Sequence, residues 1–257
     1  MPVQNFISIF RLLFSCVVLF LFSCGQIQTE EDALKKNLEG VKQMNDGKYE
    51  AAVIAFREAV GNPKLTTAKK GIVLRNLALA FQELSKPDSA VHYSTLAAKC
   101  YRKNSYDYLI NMASVDLITG KTNSALSKLL KAEKLNPDDL SINNTLGLLY
   151  LGDYGEEFAD PEKALVYNKK AFETGNSPIT EDILGRNYYD LENYELAEEH
   201  YEKVYNQYPD NLTYKLNLGM IRFKLNKTGE ADLMFKKVIE QDSSYKETIE
   251  LFKENNR

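Results

Sequence analysis

Six alanines recur along this 257-residue chain at near-equal spacing: Ala52, Ala90, Ala125, Ala164, Ala197 and Ala231, which lie 38, 35, 39, 33 and 34 residues apart. Twelve residues before Ala52, Ala90, Ala125, Ala197 and Ala231 stand the small residues Gly40, Ala78, Ala113, Gly185 and Gly219. Seven residues after each comes Ala59, Ala97, Ala132, Ala171, Val204 or Val238. A period of this length marks a supersecondary unit that cannot bury its apolar face alone and must stack on its neighbours. The small residues indicate what the unit is. Two antiparallel helices approach closely only where a side chain is nearly absent, so Gly or Ala recurs at each crossing. Four residues after the anchor alanine, Phe56, Leu129, Tyr201 and Phe235 supply bulk around the crossing.

The punctuation agrees with helix pairs. Asn136-Pro137 and Tyr208-Pro209 end second helices, because proline cannot continue one. Pro87 and Pro161 stand three residues before their anchor alanines, in a first helical turn where proline is tolerated. Similar turns recur at Gly47-Lys48-Tyr49, Lys121-Thr122-Asn123, Glu192-Asn193-Tyr194 and Lys227-Thr228-Gly229. These positions resemble the tetratricopeptide repeat, a helix–turn–helix unit, over roughly residues 33–245. The resemblance implies an all-α, right-handed superhelical solenoid of about six helix pairs, with residues 246–257 as a polar capping helix. Unit four departs from the pattern: Gly147 precedes Ala164 by 17 residues, which adds five to the turn between its helices. Its Leu146-Gly147-Leu148-Leu149-Tyr150, Asp160-Pro161-Glu162-Lys163-Ala164 and Thr174-Gly175-Asn176 resemble a Sel1-type repeat.

Residues 1–23 read as an export signal. Arg11 supplies the one charge, and Leu12 to Phe22 form an apolar run broken only by Ser15 and Cys16. That run is too short for a bilayer core, which needs about 20 residues. Leu21-Phe22-Ser23-Cys24-Gly25 resembles a bacterial lipobox, although phenylalanine is untypical at its second place. The resemblance implies acylation of Cys24 as the mature N-terminus, with 24–32 as a lipidated tether. An ordinary cleaved signal and an uncleaved anchor are the alternatives. One acyl chain binds a membrane marginally, at about 0.8 kcal/mol per methylene, whereas two or three make attachment effectively permanent. Gly25 to Gln28 reaches at most ~15 Å, and Thr29 with Asp32 forms a capping-box pattern that opens the first helix. The body is therefore expected close to a membrane in the cell envelope. Gly25, which is not an inner-membrane retention aspartate, points to the outer membrane, facing the periplasm.

In the repeat family the first helices line a groove. Carried onto this chain by resemblance, its contact positions are Arg75, Asn76, Leu79 and Gln82 in unit two, Asn111 and Ser114 in unit three, and Asn144 and Leu148 in unit four. Unit five adds Asp182, Arg186, Tyr189 and Asp190, and unit six adds Asn217, Met220, Phe223 and Lys224. Asparagine recurs at one position (Asn76, Asn111, Asn217), where it could hold both partners of a peptide amide. Arg186 with Tyr189 and Phe223 is expected to make a basic and aromatic patch, the residue types that dominate interface energetics. Packing is the competing role for the asparagines and for Tyr189.

Other functions find little support. Removing residues 1–23 takes Arg11 away and leaves 31 basic against 36 acidic side chains, so no basic surface invites nucleic acid. His92 and His200 are the only histidines, both on second helices and far apart, and no metal-ligand spacing appears. Cys100 has no base beside it in sequence and reads as a passive thiol. Neither a phosphate loop nor a dinucleotide fingerprint is present. The expectation is therefore an envelope adaptor without catalytic residues, metal or cofactor, binding a protein or peptide partner in its groove and the membrane through Cys24. Its layout resembles the pilotins of pilus secretins. Capture of a glycan or small ligand for a neighbouring transporter is the alternative; the tyrosines of unit five (Tyr188, Tyr189, Tyr194, Tyr201, Tyr205, Tyr208) favour it, and the absence of tryptophan opposes it.

Overall fold

The computed structural model describes residues 29–256, and the export-signal and lipidation readings, Cys24 included, lie outside them. The described residues form thirteen α-helices and no strand. They fall into two compact units divided after Lys103. The first holds α1 (Glu30–Asn45), α2 (Tyr49–Gly61), α3 (Thr67–Glu83) and α4 (Pro87–Lys99). The second holds α5 (Tyr106–Ile118), α6 (Thr122–Glu133), α7 (Leu140–Tyr150), α8 (Pro161–Thr174), α9 (Pro178–Asp190), α10 (Tyr194–Gln207), α11 (Leu212–Lys224), α12 (Thr228–Gln241) and α13 (Tyr245–Asn255). The fold is the all-α stack of helix pairs that the repeat implies. The division at Lys103 was not legible in it.

Each anchor alanine opens the second helix of a pair and is completely buried. The crossings work by exchange of volume between two positions. A Cβ on Gly40 would stand 2.5 Å from the Phe56 ring, one on Gly219 would stand 2.9 Å from Phe235, and one on Gly185 would stand 3.0 Å from Tyr201. Where the first position is Ala78 or Ala113, the partner is the smaller Ser94 or Leu129. In the fourth pair Gly147 takes the same role against Asn168, whose amide oxygen occupies the space a Cβ would need. The crossing therefore survives the five-residue insertion, and the extra residues go into the turn.

The turns share a second regularity. Five residues before the anchor alanine, the backbone is left-handed in five of the six pairs, at Gly47, Ser85, Gly120, Glu192 and Asn226. Two of these are glycine, which adopts that conformation without steric cost; the others meet a penalty near 1 kcal/mol. Helix starts follow the expected chemistry. The side chain of Thr29 accepts from the Asp32 amide, and the Asp32 carboxylate accepts from the Thr29 amide, which completes the capping box. Pro87 and Pro161 sit at the first turns of α4 and α8. The last helix is not simply polar: Ile249 is buried and Phe252 packs edge-on against Phe223 and Phe235.

Candidate binding site

In the second unit, helices α9 and α11 present adjacent inner faces, and between them lies a cleft of ≈ 230 Å³. Its walls are Arg186, Tyr189 and Asp190 from α9, Asn217, Met220 and Ile221 from α11, and Tyr201 from α10. Arg186, Tyr189 and Asp190 share one face of α9 because they are three and four residues apart, and Asn217, Met220 and Ile221 share one face of α11 for the same reason. Five of the sequence-derived groove residues are thereby brought together. Asp182, one turn before Arg186, completes the α9 face.

The polar groups of the cleft are already engaged with one another. Asn217 Nδ2 donates to the Tyr201 hydroxyl oxygen at 3.3 Å, and the Tyr201 hydroxyl donates to the Asp182 carboxylate. Burial, reinforced by the Asp182 charge, pushes the Tyr201 hydroxyl well above the usual tyrosine range. Burial also raises the Asp182 carboxyl, against the Tyr201 bond and the Arg186 charge. Asp190 is raised by burial too, with Arg186 pulling it down and Asp153 pushing it up. One Asp182 oxygen, Oδ1, is buried and accepts no hydrogen bond.

Arg186 does not behave as the expected patch requires. One guanidinium nitrogen donates to Asp153 Oδ1 at 2.6 Å and to the Leu151 carbonyl at 3.3 Å, while Nε stands 4.0 Å from Asp190. Asp153 and Leu151 belong to the long turn of the fourth pair. That turn contains a 3₁₀ turn at Glu156–Phe158 and is held from several sides. Thr122 donates to the Tyr154 carbonyl at 3.1 Å, and the Asp160 amide donates to the Tyr150 carbonyl at 2.8 Å. Asn187 Nδ2 donates to the Pro161 carbonyl at 2.9 Å, and Asn187 Oδ1 accepts from Asn168 at 2.8 Å. Of the expected basic and aromatic patch, Arg186 and Tyr189 share the cleft, with the cation paired toward the inserted turn, whereas Phe223 leans on Phe252 at 5.6 Å and does not line it. Lys224 lies over the Tyr194 ring at 5.4 Å, and Tyr194 in turn meets Tyr189 edge-on.

The remaining expected contacts do not converge on the cleft. Asn111 is buried and donates to the Asp107 carbonyl of its own helix at 2.7 Å, so packing explains it better than ligand contact. Leu148 packs beside Leu151, Ala164 and Ile183, and Asn144 holds its amide oxygen buried without a partner. Ser114 is half-buried. In the first unit Leu79 and Gln82 are exposed, Arg75 is half-buried, and Asn76 donates to Asn37 at 3.0 Å. Sequence reasoning missed Tyr201 and Ile221 as walls of the cleft and Asp153 as the partner of Arg186. The extra length of the fourth turn was the only signal for Asp153. Tyr201 also supplies bulk at its crossing, against Gly185.

No cluster of His, Cys, Asp or Glu among the described residues has the arrangement of a metal site. Cys100 is a half-buried thiol that donates to the Leu96 carbonyl at 3.5 Å, and burial raises it above the ordinary thiol range. That is the opposite of nucleophile activation. No described helix is long and apolar enough to cross a membrane.

Family models of the tetratricopeptide repeat match residues 183–211 and 212–245, the stretch that contains most of the cleft. The chain contains tetratricopeptide repeats. Comparison with curated proteins gives no sequence match. Among solved structures, the repeats resemble a thermophilic tetratricopeptide-repeat protein of Thermus thermophilus, with TM-score 0.58 and 20% identity over 74% of this chain and 99% of that one. They also resemble the pilF protein of Pseudomonas aeruginosa, with TM-score 0.61 and 19% identity over 88% and 99% of the two chains. A third likeness is to a chain of the APC/C Cut9–Hcn1 hetero-tetramer, with TM-score 0.64 and 16% identity over 82% of this chain and 40% of that one. At these identities the likeness is one of fold.

Proposed function

We propose that the protein is a lipid-anchored adaptor of the bacterial cell envelope that binds a protein or peptide segment in the cleft between α9 and α11. The observation that carries this reading is the convergence of Arg186, Tyr189, Asp190, Asn217 and Met220 on one opening. Tetratricopeptide repeats support an interaction scaffold, and the Cut9–Hcn1 structure is itself a complex. The lipobox-like Leu21-Phe22-Ser23-Cys24 supports the anchor, and the absence of a retention aspartate at Gly25 supports the periplasmic face of the outer membrane. The longer turn of the fourth pair keeps its Sel1-like reading. Tyr201, whose hydroxyl meets the Asp182 carboxylate beside the cleft, is held by burial well above the usual tyrosine range, the opposite of an activated nucleophile. Glycan capture is the weaker reading: Tyr188 and Tyr201 are buried in the packing of the second unit, which leaves few open rings for sugar stacking.

One experiment tests both halves. The full chain, a Cys24→Ser variant and a Tyr189→Ala, Met220→Ala double variant are expressed in a bacterial host with labelled palmitate and crosslinked in the envelope. Wild type is expected to carry label, to fractionate with membrane and to capture a protein lost from the double variant; Cys24→Ser is expected to lose label and membrane. Unlabelled wild type would overturn the anchor. A captured set unchanged in the double variant, given an unaltered thermal midpoint, would overturn the cleft.

A further inference from the structure

The charge of the cleft has an unexpected sign. Among the described residues Arg186 is its one lining cation, and that cation is turned toward Asp153 and the Leu151 carbonyl of the inserted turn. Around it stand three carboxylates, Asp153, Asp182 and Asp190. Asp190 lines the opening, keeps part of its carboxylate in solvent, and has its charge partner, Arg186 Nε, no closer than 4.0 Å. Asp182 Oδ1 is a buried acceptor with no donor. An acidic or phosphorylated ligand would meet net negative charge here and no free guanidinium.

The walls are apolar and aromatic, formed by Tyr189, Tyr201, Met220 and Ile221. At ≈ 230 Å³ the cavity is smaller than the roughly 300–1,000 Å³ of sites for cofactors and drug-sized molecules, and suits a single long side chain. Lysine and arginine carry an apolar stem and a charged tip, so the stem can lie along Met220 and the tyrosine ring while the tip reaches a carboxylate. We infer that the cleft between α9 and α11 is a socket for one basic side chain, lysine or arginine, of a partner protein segment, with Asp190 as its counter-charge. This rests on the reading of the cleft as a protein-binding site and adds the chemistry of its occupant. It also gives the five-residue insertion a role. By pairing with Arg186, Asp153 keeps the groove acidic, and so sets which partners fit.

The test is selection of a displayed library of random dodecapeptides on the full chain in detergent micelles, followed by fluorescence anisotropy with the enriched peptides. These are expected to share a Lys or Arg flanked by apolar residues. Replacing that residue by norleucine is expected to weaken binding about tenfold to wild type, the size of one charge-assisted pair. The same replacement should change little in an Asp190→Asn variant, whose near-isosteric side chain keeps the packing of α9. Asp153→Ala, which frees the guanidinium, is expected to reduce the preference for basic peptides. Enriched peptides that are neutral or acidic yet lost on Tyr189→Ala would overturn the basic-socket inference and leave the cleft standing. Peptides indifferent to Tyr189→Ala would overturn the cleft itself. Displacement of the peptides by micromolar spermidine would overturn the protein segment as occupant in favour of a free polyamine.

Discussion

The two compact units use the same helix-pair device with different interiors. Among the described residues of the first, the buried side chains are apolar except for Asn62 and Ser94. In the second, Asn111, Asp116, Asn143, Asn168, Glu181, Asn187, His200 and Lys215 are all buried. Burying polar groups is costly unless they are hydrogen-bonded, and here most are. Asn143 donates to the Pro137 and Asp139 carbonyls, His200 meets Glu181 at 2.9 Å, and Lys215 donates to Gln241 at 2.9 Å. The pairing of apolar crossings specifies how close two helices come. Directed bonds specify in addition where a loop goes, and the second unit carries the inserted turn and the cleft. The first unit has a larger hollow, ≈ 550 Å³, but its lining includes Asp32, Lys36, Glu39 and Glu58 and none of the residues that the repeat pattern marked for binding.

The sharpest way to break this comparison is to remove the same aromatic from each unit. Phe56 and Phe235 are both buried beneath a crossing glycine, and each truncation to alanine is expected to cost roughly 3–5 kcal/mol, as for other buried phenylalanines. Because the units are compact separately, Phe56→Ala should speed amide exchange through α1–α4 and leave the slowest amides of α9–α12 unchanged, and Phe235→Ala should do the reverse. A single loss of protection across both units with either variant would show one cooperative body and remove the contrast.

How much of this was legible follows from the same physics. The crossings announce themselves because closeness demands small residues at fixed intervals, and all six anchor alanines are buried. Gly147 kept its crossing role despite its altered spacing, since Asn168 still lies four residues after Ala164. The faces of α9 and α11 were readable through the resemblance to the repeat family, whose contact positions brought five residues to the cleft. The direction of Arg186 was not readable. It depends on Asp153, 33 residues away in a turn whose path no local pattern fixes. The division at Lys103 was equally silent, because the repeat period continues across it: Ala90 and Ala125 are spaced like any other anchors.

A second variant probes whether the polar interior positions the inserted turn. Asn187→Ala removes both the acceptor of Asn168 and the donor to the Pro161 carbonyl, leaving buried groups unpaired at about 1–3 kcal/mol. The loss is expected to be local as well as global: amides of 151–160 should exchange faster than those of α11. Asn76→Ala in the first unit, whose partly exposed amide can return to water, should cost less. An Asn187→Ala variant that is destabilised while its turn stays as protected as before would mean that the asparagine fills space and guides nothing.

The smallest effect expected tests the cleft's charge through pH. The folded Asp182 carboxyl is raised by burial above its unfolded value. An acid raised in this way weakens the fold wherever it is ionised, and the penalty is relieved as pH falls through the folded value. Asparagine keeps an acceptor for Tyr201 and removes the charge, so Asp182→Asn should stabilise the second unit at pH 7 by less than about 1 kcal/mol, no more than one ordinary hydrogen bond. The advantage should shrink on acidification, vanishing near the unfolded carboxyl value of about 3.9. Asp116 bounds the window from below. Burial alone would raise it, but hydrogen bonds from Lys128 and Ser124 hold it lower, so its contribution is lost only as pH falls below the unfolded range. Asp182 and Asp190 are the described carboxyls raised by burial, so the penalty relieved between neutrality and that point is theirs. An Asp182→Asn variant less stable than wild type throughout would show that Arg186 and Tyr201 compensate the charge fully, and that the second unit carries no electrostatic deficit for a partner's cation to relieve.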